Sequence, residues 1–347
     1  MKRCLSVVAV ALAVLFSAAI TLKGQSVGEI VRLDPAVNAM LPPNAHIEKL
    51  ADDFGFLEGP VWVHPGGEGY LLFSDIPANV IDKWAPDGGN GKVSVFLEKS
   101  GFTGTNPEGV GYPINNGHRI VILLGSNAVT LDNQGRIVFC QHGNRAVVRL
   151  EKDGRRTVLA SRYEGKRLNS PNDLVYKSDG SLYFTDPPFG LAKLDQDPKK
   201  ELPFNGVYRL ANGKLQLIYK DFKTPNGIAF SPGEKYLYID DSATKTYWRF
   251  DVQPDGSIAN GKLFFDMSKS KEAGVPDGMK VDQDGNIYGV GPGGIWILSP
   301  QGKHLGTIKP PEDPANLAWG DSDGKTLYIT ARTGLYRIRL NIPGIRP

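Results

Sequence analysis

The sequence has few cysteines, few histidines and little net charge, and each shortage excludes a class of protein. Cys4 lies in an apolar N-terminal stretch, so Cys140 would be the only thiol of a processed chain and no intrachain disulfide could form. The five histidines have no metal-ligand spacing, which disfavours a zinc site. The formal charge of +3 includes Lys2 and Arg3, so the rest of the chain is close to neutral and no nucleic-acid partner is expected.

Only one long apolar run occurs, and it lies at the N-terminus. A basic start is followed by apolar residues from Cys4 to Phe16 and by small residues at 17–19, which is the pattern of a secretory signal peptide. The run is short for a membrane span, although an uncleaved anchor is the alternative. We therefore expect a signal peptide (1–19, with cleavage there or a few residues later), an N-terminal extension (20–45) and a main domain (46–347). We also expect export to the periplasm or the medium, with no membrane contact after cleavage.

No helical period of apolar residues occurs outside this run, whereas a β pattern recurs six times. The recurring unit is a short apolar or aromatic strand after a turn, and successive copies start about 40 to 66 residues apart. The copies are "GYLLFSD" (69–75), "GRIVFCQ" (135–141), "GSLYFTD" (180–186), "EKYLYIDD" (234–241), "GNIYGVG" (285–291) and "GKTLYITA" (324–331).

A second strand precedes each copy and is joined to it by a turn of Asp, Gly, Pro and Ser residues, which is typical of hairpins. A further strand pair follows the copies, so four antiparallel strands recur in each unit. This pattern predicts an all-β fold, a six-bladed β-propeller with four antiparallel strands per blade; a different all-β array is the alternative. The sixth unit has only three strands. We therefore expect the N-terminal segment 46–54 to complete the last blade and close the ring.

Aligning the six preceding strands places one residue of each at the strand entrance, and five of the six carry a side-chain oxygen. We call this set the entrance ring. Its members are Glu58, Asn127, Asn172, Asn226, Asp277 and Ala315. The first strand of each blade lines the central channel, so these side chains should converge at one mouth of the channel. Carboxylate and amide oxygens suit one hard divalent cation, above all Ca²⁺, with Mg²⁺, Mn²⁺ or Zn²⁺ as substitutes in vitro. The alternative is that these residues only form turns.

The second strand of each hairpin should return its last residues to the same mouth. On this basis His142 and Asp186 are candidate substrate-binding residues, together with Asn127 from the entrance ring. For Asp186 the alternative is capping of backbone groups in the loops, and for His142 a structural role. An insertion rich in glycine and asparagine, at 102–117, is placed to shape the mouth.

The chain resembles the family of senescence marker protein-30, gluconolactonase and luciferin-regenerating enzyme, and within it the bacterial gluconolactonases. The matching motifs are "EGPVW", "CQHGNRAVVRL", "RYEGKRLNSPNDLVYKSDGSLYFTDPPFGL", "TPNGIAFSP" and "PDGMKVDQDGNIY". The resemblance covers most of the chain after the leader. It implies a six-bladed propeller with one divalent cation, usually calcium, held by Glu58, Asn226 and Asp277. It also implies that Asn172 lies in the same site, as a ligand or a substrate contact.

Three positions near the predicted mouth depart from the family pattern. Bacterial gluconolactonases usually have glycine where this chain has Ala128, and often glutamate where it has Gln141. Animal relatives have a substrate-binding arginine where this chain has Ser170. The resemblance therefore implies the chemistry of the family with a substrate that can differ from gluconolactone.

Together with this resemblance, the residues predict a metal-dependent lactonase or related carboxylic-ester hydrolase that acts on a small-molecule lactone or ester. The cation would polarise the carbonyl, Asp277 would be the general base for the attacking water, and Glu58 would mainly anchor the cation. No G-x-S-x-G motif occurs, which disfavours a covalent acyl-enzyme. Two alternatives remain: a phosphotriesterase-like hydrolase with the same metal site, and a non-catalytic, calcium-stabilised propeller that binds a sugar or a protein. The oligomeric state stays open.

Overall fold

The computed structural model describes residues 26–64, 66, 68–87 and 91–347. The predicted signal peptide, residues 1–19, lies outside this part. In these ranges, three short 3₁₀ helices accompany the strands: Pro35–Ala39, Leu194–Gln196 and Pro232–Glu234. Within the described ranges, no helix has the length and apolar character needed to cross a membrane.

The predicted six-bladed β-propeller is confirmed, because each unit of the repeat forms one antiparallel sheet. Blade 1 contains Leu57–Val63, Tyr70–Asp75, Val80–Ala85 and Lys92–Glu98. Blade 2 contains Ser126–Leu131, Ile137–Gln141, Ala146–Leu150 and Arg156–Ala160. Blade 3 contains Leu174–Tyr176, Leu182–Asp186, Gly206–Ala211 and Lys214–Tyr219.

The second half of the ring repeats this order. Blade 4 contains Pro225–Phe230, Tyr236–Asp241, Thr246–Val252 and Ile258–Asp266. Blade 5 contains Met279–Val281, Ile287–Gly291, Gly294–Leu298 and His304–Lys309, with Glu29–Arg32 as a fifth strand. Blade 6 contains Pro314–Gly320, Thr326–Ala331, Gly334–Arg339 and Ile47–Ala51. Two small hairpins lie between blades: Pro113–Asn115 with Ile120–Ile122, and Arg162–Tyr163 with Lys166–Arg167.

The ring closes through the N-terminal segment, as the three-stranded sixth unit predicts. Ile47–Ala51 pairs antiparallel with Gly334–Arg339, and Ile47 lies opposite Ile338. Both side chains are buried in the cluster between blades 5 and 6. Because one blade combines strands from both ends of the domain, the first and last blades cannot separate without breaking a sheet.

The described part of the N-terminal extension packs on the edge of the propeller. Glu29–Arg32 pairs antiparallel with His304–Lys309 at the outer edge of blade 5. The helix Pro35–Ala39 follows, and its N-cap Asp34 accepts a hydrogen bond from the N–H of Ala36 at 2.9 Å. Val37 is fully buried against blades 5 and 6, so this segment covers an edge that would otherwise be open.

The apolar core consists of six clusters, one in each interface between neighbouring blades. Alternation along the strands explains this division, since successive side chains point to opposite faces of a sheet. Tyr183 packs against blade 4 and the next residue, Phe184, packs against blade 2. Each blade is therefore buried on both faces, and the polar residues are left for the channel and the outer rim.

Candidate active site at the channel mouth

Irregular strand entrances bring the ring residues to the channel. In blades 1, 2, 4 and 6 the pairing register shifts at the entrance of the first strand, which is the mark of a β-bulge. In blade 1 the shift follows Glu58, and in blade 4 it spans Asn226. In blades 3 and 5, Asn172 and Asp277 lie just ahead of the first regular strand. A bulge re-aims side chains, which is how neighbouring entrances can direct polar groups to one centre.

Glycines after the ring residues allow the blades to approach closely there. A Cβ on Gly59 would lie 2.1 Å from the Cα of Ala128, and one on Gly227 would lie 2.2 Å from the carbonyl oxygen of Asp277. In both cases the obstacle is backbone of the next blade. Pro225–Phe230 is a strand, so the "PNG" sequence is not a turn, and the alternative explanation by turn formation is wrong for this motif.

Three of the predicted asparagines are joined by hydrogen bonds across three blades. The Nδ2 of Asn127 donates to the Oδ1 of Asn172 at 2.7 Å, and the Nδ2 of Asn172 donates to the Oδ1 of Asn226 at 2.5 Å. The Nδ2 of Asn226 then donates to the Oγ of Ser242 at 3.0 Å. All four residues are buried. The Oδ1 of Asn127 has no hydrogen-bond partner among the described residues, although it is buried.

His142 is buried next to this chain of amides. Its Nε2 is 3.0 Å from the Oδ1 of Asn172 and 3.3 Å from the Nδ2 of Asn127, and the residue is fully buried. Burial lowers the pKa of His142 to about 4, so the ring is neutral near pH 7. As the Nε2–H tautomer, His142 orients the amide of Asn172.

The two ring carboxylates, Glu58 and Asp277, lie close enough to interact electrostatically. Burial raises the pKa of Glu58 to about 7, and the N–H of Gly59 opposes this increase. Burial, followed by the charge of Glu58, raises the pKa of Asp277 well above its usual range. Glu58 is only 2% exposed, whereas Asp277 is partly exposed. The sequence-predicted pair is therefore together, with Asp277 on the more accessible side.

The sixth blade contributes a polar residue that the alignment missed. Ala315, the aligned residue, has no side-chain oxygen, but the next residue, Asn316, donates from Nδ2 to the Oε2 of Glu58 at 3.1 Å. The register of blade 6 shifts between Pro314 and Asn316. Proline gives no signal of this shift, because one precedes the entrances of blades 3 and 5, where the register is regular, as well as those of blades 4 and 6.

Asp186 caps a loop, which is the alternative that the sequence left open. Its two carboxylate oxygens accept hydrogen bonds from the N–H groups of Asn169 and Ser170, both at 2.8 Å, and it is fully buried. Asp75 and Asp241 do the same for the N–H groups of residues 55–56 and 223–224. In all three blades the capped groups lie two and three residues ahead of a ring residue. These aspartates therefore support the ring rather than face its centre.

Two further buried carboxylates, Asp173 and Asp240, lie close to the ring. Burial is the main cause that raises the pKa of each, and for Asp240 the increase is large. Both oxygens of Asp240 and the Oδ2 of Asp173 lack hydrogen-bond partners among the described residues. Asp240 lies at the end of the second strand of its hairpin, where the repeat predicts residues near the mouth, whereas Asp173 was not predicted there. Together they add to the negative potential behind Glu58 and Asp277.

The insertion frames the mouth through contacts to three blades. The N–H of Tyr112 donates to the carbonyl of Phe189 at 2.9 Å, and Phe189 packs against the ring of His142. The Nδ2 of Asn116 donates to the carbonyl of Gly55 at 2.7 Å, just before blade 1. Residues 113–122 also contact blade 6, since Arg332 donates to the carbonyl of Asn115. The insertion is thus anchored beside the predicted site, as its position in the sequence suggested.

Behind the ring, the central channel runs towards the opposite face of the propeller. Its volume is ≈ 760 Å³, and its walls come from the first strands of all six blades. Gly59, Asp173 and Asn316 line its inner end, and the C-terminal residues 345–347 line its outer end. The ring of polar residues therefore separates this channel from the mouth framed by the insertion.

The donor set at the mouth fits a divalent cation. No group of three or more His, Cys, Asp or Glu side chains suited to a metal occurs in the described residues, so a zinc-type cluster is absent there. Two carboxylates with raised pKa values and amide oxygens from three blades, one of them an unpartnered buried oxygen, make up the set instead. A cation would relieve the repulsion between the carboxylates, and oxygen donors of this kind suit calcium.

Comparison with known proteins identifies similar chains. Residues 56–333 match the family model of the SMP-30/gluconolactonase/LRE-like region. A gluconolactonase of Zymomonas mobilis subsp. mobilis is 38% identical over 328 residues, which is 92% of this chain and 88% of that protein. The structure of a gluconolactonase from Xanthomonas campestris matches with a TM-score of 0.74 at 30% identity, covering 91% of this chain and 96% of that one. The diisopropyl-fluorophosphatase of Loligo vulgaris is 28% identical over 176 residues, which is 48% of this chain and 55% of that protein.

Proposed function

Since this chain belongs to the SMP-30/gluconolactonase/LRE-like family and is a lactonase-type hydrolase, we propose that it opens a sugar-lactone ring with the help of one divalent cation. Calcium is the ion we infer. One observation carries the proposal: the carboxylates of Glu58 and Asp277 interact at one mouth of the propeller, next to the hydrogen-bonded amides of Asn172 and Asn226. Such a set of anionic and neutral oxygens suits a cation and leaves an accessible side for the substrate.

When bound, the cation would supply Lewis-acid chemistry, polarising the lactone carbonyl and stabilising negative charge on its oxygen. Glu58, Asn172 and Asn226 would hold it, with Asp277 as a further ligand. Glu58 is suited to anchoring because the N–H of Gly59 and the amide of Asn316 both donate to its Oε2. Asn127 and His142 orient Asn172 through its Oδ1.

Asp277 is the proposed general base. It is the more exposed of the two carboxylates, and a carboxylate that binds the cation through one oxygen could accept a proton from water through the other. It would accept a proton from water as the water oxygen forms a bond to the carbonyl carbon. The bond between that carbon and the ring oxygen then breaks, and the proton passes to the departing oxygen. The product is the open hydroxy acid.

A panel of lactones tests this function. Purified protein should hydrolyse aldonolactones, with pH-stat detection of the released acid, and the rate should fall to background in a chelator and return with Ca²⁺. Aliphatic lactones in the same panel report whether the departures at Ala128, Gln141 and Ser170 widen the substrate range. Calcium-dependent stabilisation without turnover of any ester would instead favour a non-catalytic binding propeller.

A second candidate is phosphotriester hydrolysis at the same site. The similarity to the diisopropyl-fluorophosphatase of Loligo vulgaris favours its inclusion, although that similarity extends over only 48% of this chain. A carboxylate of the ring would act as the nucleophile in that reaction. Adding diisopropyl fluorophosphate to the panel separates the two, because fluoride release would exceed lactone hydrolysis if the second candidate is correct.

We also propose that the protein is exported. The basic start, the apolar run and the small residues at 17–19 support this location. Mass spectrometry of the mature protein from the producing cell should find a new N-terminus at residue 20 or a few residues later. An intact N-terminus in the cytosolic fraction would contradict export.

A further inference from the structure

Two hydrogen-bond donors fix one of the two oxygens of the Glu58 carboxylate. The N–H of Gly59 donates to Oε2 at 2.7 Å, and the Nδ2 of Asn316 donates to the same oxygen at 3.1 Å. Among the described residues, none donates a hydrogen bond to Oε1. The carboxylate is 2% exposed and Asn316 is 1% exposed, so water does not compete for these contacts. The orientation of Glu58 is therefore set by the protein.

The orientation of the Asn316 amide is itself determined by its neighbours. Its Oδ1 accepts hydrogen bonds from the Nζ of Lys280 at 3.1 Å and from the N–H of Leu317 at 2.8 Å. An ammonium group and a backbone N–H can only donate, so the oxygen must face them. The NH₂ group of Asn316 is then turned towards Glu58, where it can only donate. No rotated form of the amide would satisfy these three contacts.

Other contacts keep the Lys280 ammonium group in position to donate to the Oδ1 of Asn316. Its Nζ also donates to the carbonyl of Met279 at 3.0 Å, and its positive charge opposes the rise in the pKa of both Glu58 and Asp173. Glu58, Lys280 and Asn316 come from blades 1, 5 and 6, so this arrangement links the three blades at the closure of the ring.

We propose that Asn316 is a positioning residue that aims the free oxygen of Glu58 at the divalent cation, with Lys280 setting the orientation of the Asn316 amide. This inference rests on the proposed function, since it needs a cation at the mouth. Asn316 donates to Oε2 of Glu58, the oxygen that does not face the cation, and is not itself a ligand. Loss of a hydrogen bond that orients a metal ligand lowers metal affinity by about 10- to 100-fold in other metalloproteins.

Calorimetric titration of Ca²⁺ into chelator-treated, full-length protein tests the inference. We expect Asn316→Ala to raise the Kd for Ca²⁺ by about 10- to 100-fold relative to the unsubstituted protein. Asn316→Leu should raise the Kd for Ca²⁺ by a similar factor. Because leucine retains more volume than alanine, this variant provides a second test if Asn316→Ala fails to fold. At saturating Ca²⁺ either variant should recover most of its hydrolytic rate, because the reacting groups are unchanged.

Asn286→Ala is the matched control. Asn286 is also a buried asparagine that donates to a carboxylate, the Oδ2 of Asp282 at 2.9 Å, but it belongs to the turn of blade 5 and does not contact the entrance ring. The Asn286→Ala substitution should lower the thermal stability without changing the Kd for Ca²⁺. An unchanged Kd in folded Asn316→Ala or Asn316→Leu would overturn the inference while leaving the proposed function intact. No Ca²⁺ binding by the unsubstituted protein would overturn both.

Discussion

Asn172 and Asn226 lie 54 positions apart in the sequence, yet the amide of one donates a 2.5 Å hydrogen bond to the side-chain oxygen of the other. The pair joins the entrances of blades 3 and 4. Asn127 and Ser242 extend the same chain of hydrogen bonds on either side. Because all four residues are buried, they form a connected polar network in which the loss of one member leaves its neighbours unsatisfied.

Cation removal should destabilise the protein as well as inactivate it. A cation present at 100 times its Kd stabilises the folded state by about 2.7 kcal/mol when it does not bind the unfolded chain. The melting temperature should therefore be higher in Ca²⁺ than in chelator, by differential scanning calorimetry. In the Glu58→Gln variant, most of the difference between the melting temperatures in Ca²⁺ and in chelator should disappear. Equal melting temperatures in Ca²⁺ and chelator for the unsubstituted protein would contradict a cation site.

Asp277→Asn should remove the general base while keeping an oxygen at the same place. We expect kcat for lactone hydrolysis to fall by about 100- to 10,000-fold, because an amide cannot accept the proton of the attacking water. The assay is run at saturating Ca²⁺, so that a weaker cation affinity does not account for the loss. Asp266→Asn, an exposed aspartate outside the site, is the control and should keep its kcat. Full activity of Asp277→Asn would show that the base lies elsewhere.

Gly227→Ala should disturb the site through the backbone. The new Cβ would lie 2.2 Å from the carbonyl oxygen of Asp277, so the entrances of blades 4 and 5 must move apart. Overpacking of this kind costs about 1–3 kcal/mol, and here the displacement falls on two ring residues. Urea unfolding should show the loss of stability, and the Kd for Ca²⁺ should rise.

Gly213→Ala separates this effect from general strain. Gly213 has a φ of +73° in an exposed turn, and its Cβ would meet nothing within 4 Å. The free energy of unfolding of Gly213→Ala should be lower by about 1–2 kcal/mol, because alanine is disfavoured in the left-handed conformation. Its Ca²⁺ affinity should be unchanged. Equal Kd values for Ca²⁺ in both variants would contradict the role of Gly227 in the close approach of blades 4 and 5 at the site.

The stability contributed by Asp186 should decrease as the pH rises. Burial raises the pKa of Asp186 to about 7 from an ordinary value of 3.8. Between these two pH values the folded state binds more protons than the unfolded state, so the free energy of unfolding falls with increasing pH. Asp186→Asn lacks this titration. Its free energy of unfolding, subtracted from that of the unsubstituted protein, should therefore give a difference that declines from pH 4 to pH 7.

Urea unfolding at pH 5 and at pH 8 measures this decline. Asp186→Asn should also be less stable at pH 5, because asparagine offers one acceptor oxygen to the two N–H groups of Asn169 and Ser170. The unpaired group costs about 1–3 kcal/mol. A difference that stays the same between pH 5 and pH 8 would show that Asp186 is ionised in the folded protein throughout this range.

Local patterns were sufficient to predict the fold. Period-2 alternation and turn residues act within a few positions, so the six strand pairs could be read directly, as could the completion of blade 6 by 46–54. The repeat also placed Glu58, Asn127, Asn172 and Asn226 around one axis, since equivalent positions of symmetric blades must converge. The structure joins the three asparagines by hydrogen bonds across blades 2, 3 and 4.

Other parts of the site depend on contacts between distant segments. Asn316 replaces Ala315 because a bulge shifts the register of blade 6, and a one-residue shift changes the direction of each side chain. The sequence marks Asp186 as a strand-end carboxylate, but only the packing of the loop at 169–170 makes it a cap. His142 is neutral because the blades around it exclude water.

The sequence by itself thus determined the propeller, its closure and the residue types at the channel mouth, because strand period and turn chemistry are properties of neighbouring residues. Only the tertiary structure decided which of those polar groups face the centre and which cap loops or orient a neighbour. The reason is that hydrogen-bond partners, burial and the resulting pKa values arise between segments that lie 15 to 258 residues apart along the chain.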